Sequence, residues 1–172
     1  MQPFQTIEVR LVVDTNVRLA AELAPSKETS AAFQLLRLIQ RKIYNRAHKK
    51  PQRVVIVWLR SLELQNELRR QLTKRGFRPS WVLSILQETS TFSELVTVKE
   101  EDISDLRKQA PPEAQDDIHV IACAVKGKAT HIVTYDDRHL LTPKTKQFVR
   151  RFGIRIVKPT EMLTELRRLE DP

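Results

Sequence analysis

The sequence predicts an α/β fold of three layers, helices on either side of a central parallel sheet of about five strands. Three observations carry that expectation. Short β-branched runs alternate with helical stretches along the whole chain, the pattern of strands joined by crossover helices. Val54-Val55-Ile56-Val57-Trp58 is apolar without a break, as a strand covered on both faces must be. Two further strands stop at acids: Val12-Val13 runs into Asp14, and Ile132-Val133 into Asp136.

The elements follow in order. Ile7 to Val13 favours a strand because its valines fit a pleated, buried surface. Thr15 to Lys27 reads as mostly connection, with Pro25-Ser26 as its turn. From Glu28 to His48 the pattern is helical: Ala32, Leu36, Ile39 and Ile43 recur at steps of four, three and four, and Arg37, Arg41, Lys42 and Arg46 fall largely off that stripe. Pro51 ends the segment, and the strand from Val54 to Trp58 follows. A second helix runs from Ser61 to Arg75 on a Leu64, Leu68, Leu72 stripe, with Gly76 as its C-terminal cap.

Pro79-Ser80 opens a third helix, with Trp81, Ile85 and Leu86 directed inward. Leu95 to Val98 is predicted as a short strand, Glu101 to Lys108 as a helical turn or two, and Pro111-Pro112 as a loop. Asp116-Asp117 suits the positive end of the helix from Ile118 to Lys126, which Gly127 closes. Thr130 to Thr134 is a strand ending in Tyr135-Asp136-Asp137. Thr142-Pro143 supplies cap and first residue of a helix that stops at Gly153. Ile154 to Val157 is the fifth strand, and Pro159-Thr160 starts a last helix to about Leu169. No repeat or linker divides the chain, which reads as a single domain over residues 1–172.

Composition narrows the function. With only 3 Gly and neither glycine-rich phosphate signature, the sequence argues against a glycine-rich phosphate loop. Met1 to Thr6 lacks the basic and apolar regions of a signal peptide, and no apolar run approaches the roughly 20 residues of a membrane span. Cys123, the single cysteine, allows neither an internal disulfide nor a cysteine zinc site; it is expected in the core, and a reducing cytoplasm is the expected location. The net charge is +9, unevenly distributed. No acid occurs between Glu28 and Glu63, a window holding Arg37, Arg41, Lys42, Arg46, Lys49, Lys50, Arg53 and Arg60. Arg69, Arg70, Lys74, Arg75 and Arg78 follow closely. Either cluster alone could be a solvated face, but the two together favour a polyanion such as nucleic acid over a membrane surface. Arg41, Arg46, Lys49 and Lys50 are the expected phosphate contacts.

The acids predict the chemistry. Parallel strands bring their carboxyl ends to one rim, where ligands bind in open α/β sheets. Asp14 and Asp136 end strands, Asp117 starts a helix, and Glu67 lies on the helix after the second strand. Asp14 alone could simply cap a turn. Clustered carboxylates raise one another's pKa unless a cation neutralises them, and oxygen ligands select Mg²⁺ or Mn²⁺. Acids that hold such an ion, with a water activated for attack on phosphorus, beside a basic surface describe a metal-dependent nuclease.

Four segments resemble the PIN-domain ribonuclease family, which includes VapC-like toxins. Val12-Val13-Asp14-Thr15-Asn16-Val17 resembles its opening motif. Asp117-Ile118-His119-Val120-Ile121-Ala122-Cys123-Ala124 resembles its third, and His131-Ile132-Val133-Thr134-Tyr135-Asp136 its fourth. Ile154 to Leu163 resembles the closing strand and helix. For the second motif Ser61 with Glu67 fits the spacing, while Glu63 competes one turn earlier. The resemblance implies that Asp14, Glu67, Asp117 and Asp136 bind Mg²⁺ or Mn²⁺ and carry catalysis, with single-stranded RNA as substrate. It also admits a toxin–antitoxin pair with an antitoxin partner, a processing nuclease, and a homodimer. Asn16 and Thr134 would support the acids. Asp116 and Asp137 would assist or stay solvated, and His119 would be a surface or satisfied histidine.

Two competing functions remain distinguishable. A haloacid-dehalogenase-type phosphatase needs a second Asp two residues after the first, where this chain has Asn16. A PIN-like module that binds RNA or protein without cleaving it would differ only in the assembled site.

Overall fold

The computed structural model describes residues 6–170. The N-terminal stretch read above for a signal peptide therefore lies, in its residues 1–5, outside the described residues. Five strands form one sheet: β1 (Ile7–Val13), β2 (Val54–Arg60), β3 (Ser93–Leu95), β4 (His131–Val133) and β5 (Arg155–Val157). Their spatial order is β3-β2-β1-β4-β5, and every neighbouring pair is parallel. The predicted three-layer α/β/α architecture is what forms.

Alternation along the strands builds two cores. Leu11, Val13, Ile56 and Trp58 point to one face, where they meet α1 (Thr15–Leu23), α2 (Ala31–Ala47) and α8 (Pro159–Glu170). Val12, Val57, Leu59 and Ile132 point to the other, against α5 (Glu100–Gln109), α6 (Ile118–Lys126) and α7 (Pro143–Arg150). Burial on both sides explains why β2 reads as continuous apolar sequence. A third, smaller cluster joins Leu19 of α1 to Leu68 and Leu72 of α3 (Leu62–Lys74) and to Val82, Ile85 and Leu86 of α4 (Pro79–Phe92). It fixes α3 beside the sheet rim, while Leu64 of the same helix reaches the second core.

Five expectations need correction. Thr15 to Lys27 is not mostly connection: α1 occupies Thr15–Leu23, because Val17 and Ala21, one turn apart, both reach the core. Trp81 does not face inward; it is half exposed, since α4 is phased by Val82, Ile85, Leu86 and Thr89. The third strand comes earlier than Leu95 to Val98, as Ser93–Leu95, because pairing begins where Trp58 opposes Ser93. Val96 and Val98 instead pack toward α6. The turn or two after Lys99 is a full helix, α5, started when Asp102 Oδ2 accepts the Lys99 N–H at 3.0 Å. Lys42 is not off the buried stripe: it is buried and paired with Glu170 of α8.

Candidate metal centre

Sheet register builds the site. Val13 pairs with Val133, so the next residues, Asp14 and Thr134, leave two adjacent central strands side by side. The Thr134 hydroxyl donates to Asp14 Oδ2 at 2.7 Å and accepts the Asp136 N–H at 2.9 Å. Asn16 adds a second donor, its Nδ2 lying 2.8 Å from the same Asp14 oxygen, while its Oδ1 accepts the Tyr135 N–H at 3.1 Å. One threonine and one asparagine thus clamp the ends of β1 and β4 together and aim the first acid.

Asp14 and Asp117 both stand at the N-cap of a helix, yet neither side chain makes a capping hydrogen bond. Ser30, Ser61 and Thr142, at the caps of α2, α3 and α7, do cap, accepting from Phe33, Leu64 and Thr145. The bland role for Asp14 therefore fails: its carboxylate is spent sideways, on Thr134 and Asn16. Asp117 turns toward Asp136. Its Oδ2 is buried without a hydrogen bond. The His139 Nδ1 that lies 3.2 Å away is shared with Asp136 Oδ2, at 3.0 Å. Asp136 Oδ1 accepts the N–H groups of Arg138 and His139 at 2.9 and 3.0 Å, which fixes that carboxylate in a tight turn.

Crowding and burial show in the titration. Burial, with the Glu67 charge adding to it, pushes the Asp14 pKa up to about 6 against the pull of the Thr134 hydrogen bond. Burial also lifts Asp117 to about 7, helped by a hydrogen bond to Asp136 and by the charges of Asp14 and Asp136. Asp136 is partly buried as well, but the bonds from His139, Asp117 and Arg138 together hold it below the ordinary carboxylate range. The three acids thus divide into two that resist ionisation and one that is fixed as an anion.

Glu67 reaches the same pocket from α3. Its Oε2 lies 2.9 Å from His119 Nε2, and its charge is felt at Asp14. Burial opposes the His119 cation, but Glu67, Asp117 and Asp14 raise its pKa. Glu63 turns to solvent, paired with Arg70 at 2.7 Å. Of the remaining acids, Asp116 is exposed and Asp137 pairs with Lys158 at 2.9 Å, away from the cluster. Cys123 is buried, and burial pushes its thiol up to about 12, so it is inert at neutral pH.

The basic residues divide differently from expectation. Arg46, Lys49 and Lys50 line a hollow with Thr6 and Arg53, at the start of β1 and β2. That is the rim opposite Asp14, about 25 Å away at the rise of an extended strand. Arg41 lies along α2 between the rims, in the groove shared with α8. Arg69, Arg70 and Lys74 instead are exposed on α3, within two turns of Glu67.

The donor set suits a divalent cation. Buried oxygen atoms converge, one of them orphaned, and burial makes two carboxylates resist ionisation even with His119 and His139 beside them. His139, absent from the residues singled out by sequence, stands among them: one donor atom each from Asp117, Asp136 and His139 fall within 4.8 Å of one another. The signal for it was the three-residue step from Asp136, which a tight turn converts into contact.

A family model described as PIN domain matches residues 10–138. No curated protein matches the chain. The match runs from β1 through the Asp136 turn, takes in all four clustered acids and covers well over half of the sequence, so the chain belongs to the PIN-domain family, whose members are typically nucleases.

Proposed function

We propose that the protein is a Mg²⁺- or Mn²⁺-dependent endoribonuclease that hydrolyses phosphodiester bonds in single-stranded RNA. The observation that carries this reading is the pair of uncapping N-cap aspartates: Asp14, held by Thr134 and Asn16, and Asp117, which meets Asp136 and feels the Asp14 charge. Side chains that give up a capping bond usually worth about 1 kcal/mol are held for another purpose. Burying them unneutralised would cost more still.

Each residue then has a task. Asp14, Asp117 and Asp136 would hold the ion, with Glu67 completing the acidic wall. A bound divalent ion supplies charge neutralisation for the phosphate and an activated water. Thr134 and Asn16 orient Asp14 Oδ2, and the Arg138 and His139 N–H groups orient Asp136 Oδ1. His119 Nε2 keeps Glu67 Oε2 turned into the pocket. Arg69, Arg70 and Lys74 on α3 are the bases best situated to hold phosphates beside it. The choice of RNA follows the usual substrate of the family. As a toxin silenced by an antitoxin partner, such an enzyme would arrest growth when expressed alone, and Asp14→Asn would relieve the arrest.

The test is cleavage of end-labelled single-stranded RNA, beside DNA of the same sequence, with Mn²⁺ or with chelator. Internal cleavage of RNA that needs the ion and disappears in Asp14→Asn is expected. Binding of RNA without cleavage, unchanged by the ion, would identify a binding module instead.

A further inference from the structure

We propose that His139 supplies a nitrogen ligand to the divalent ion, making this a mixed nitrogen–oxygen site that prefers Mn²⁺ to Mg²⁺. The inference rests on the metal-dependent reading above and goes beyond it by adding a ligand of different chemistry.

The geometry carries it. His139 Nδ1 lies 3.0 Å from Asp136 Oδ2 and 3.2 Å from Asp117 Oδ2, so one ring nitrogen faces both carboxylates. In the ion-free site Nδ1 donates to Asp136 Oδ2 beside Asp117 Oδ2; once an arriving ion displaces that proton, its lone pair faces the point where those oxygens converge. The backbone is anchored for the purpose. Asp136 Oδ1 accepts the His139 N–H at 3.0 Å, and the His139 carbonyl accepts the hydroxyls of Thr142 and Thr145 at 3.2 and 2.7 Å. Thr145 is fully buried, so the turn is tied into the core at its far side. The buried Asp117 Oδ2, without a hydrogen bond, remains free for the same ion.

Ligand chemistry sets the preference. Mg²⁺ takes oxygen ligands and gives up its waters reluctantly. Mn²⁺ stands at the weak end of the transition-ion series and shares carboxylate ligands with Mg²⁺, but as a transition ion it accepts an imidazole nitrogen where Mg²⁺ keeps water. A carboxylate-only wall would separate the two ions weakly, whereas one imidazole favours Mn²⁺.

Binding of Mn²⁺ and of Mg²⁺ to the full chain is measured by titration calorimetry for the wild type, His139→Ala, His139→Asn and Asp117→Asn. Pulsed electron paramagnetic resonance of the Mn²⁺ complexes reads nitrogen coupling directly. His139→Ala should weaken Mn²⁺ by at least about tenfold, on the scale seen when groups around a metal are removed, and change Mg²⁺ far less. His139→Asn, which returns an all-oxygen set, should narrow the Mn²⁺ preference, and both variants should lose the nitrogen coupling. Wild-type Mn²⁺ binding without nitrogen coupling, and unchanged in His139→Ala, overturns the role of His139 while leaving the carboxylate site standing. Absence of binding for both ions in the wild type overturns the metal-dependent reading and this inference with it.

Discussion

The Thr134 hydroxyl donates a 2.7 Å hydrogen bond to Asp14 Oδ2, and no solvent reaches it. That bond is the main local force keeping Asp14 ionisable against its burial. Thr134→Val keeps the shape and removes the donor. It should cost about 1–3 kcal/mol in chemical denaturation, because Asp14 Oδ2 keeps only the Asn16 donor and the Asp136 N–H loses its acceptor. The acid limb of the pH–rate profile should also move to higher pH, because Asp14 would ionise less readily. Thr134→Ser should restore both. An unmoved acid limb in Thr134→Val would remove Asp14 from the ionisations that matter.

Asp14→Asn should abolish cleavage and leave the fold intact. The sign of its stability effect follows from the raised pKa. Between its ordinary 3.8 and about 6 the folded state binds more protons at Asp14 than the unfolded state does. Stability is therefore full below that window and falls as pH rises through it, by on the order of 3 kcal/mol for a shift of this size. Asparagine never ionises, so the metal-free variant should be the more stable protein at pH 7. Melting curves from pH 4 to 8 in chelator would show it, and Asp117, lifted to about 7, adds a fall of the same sign in the wild type. Added Mn²⁺ should reverse the fall at high pH in the wild type and not in Asp14→Asn.

Glu67→Gln and Glu63→Gln separate the two candidates on α3. Glu67 adjoins His119 and Asp14, while Glu63 sits with Arg70 in solvent. Glu67→Gln should lower kcat by about a hundredfold or more, on the scale of losing a group that positions charge or a proton in the transition state. Glu63→Gln should stay within about twofold, as exposed ion pairs contribute little. Equal losses from both would mean that α3 acts through its charge as a whole.

The two basic clusters predict different salt dependences. Replacing Arg69 and Lys74 with Ala should weaken single-strand binding for all sequences alike and flatten the log–log salt slope by roughly 0.7 per lost phosphate contact. Replacing Lys49 and Lys50, on the far rim, should leave the binding of a short strand unchanged. A long strand that wraps the sheet would be revealed if the second pair flattened the slope only for longer substrates. Metal affinity should not respond to either change.

Much of the architecture was legible because burial on both faces writes itself into sequence: β1 and α6 have the limits that their apolar runs imply, and β2 starts at Val54 as expected but continues past Trp58 to Arg60. Asp14 and Asp136 were legible as a pair because parallel strands end on one rim. What stayed hidden depended on orientation. α1 is short, and its buried pair Val17 and Ala21 gives too little periodicity to outweigh the polar residues around them. The basic run looked like one surface, yet α2 descends antiparallel to the strands and carries Arg46 to the rim opposite the acids. Asp137 stands next to Asp136 and still turns away to Lys158. His139, three residues past Asp136, is recognisable only once the Asp136 turn brings its ring to the carboxylates.

Of the three buried leucines of α3, Leu64 joins a sheet core, whereas Leu68 and Leu72 belong to the small cluster with Leu19, Val82, Ile85 and Leu86. Three of the four acids are therefore secured by the sheet and its flanking helices, and Glu67 by a helix held mainly through a thinner piece of packing. Elements with few buried contacts open at lower free energy than the core. The amides of α3 and α4 should accordingly exchange with deuterium well before those of β1 and β4. The acidic wall would then come apart at one side while the molecule stays folded, giving a long nucleic acid a transient way in without unthreading from an end.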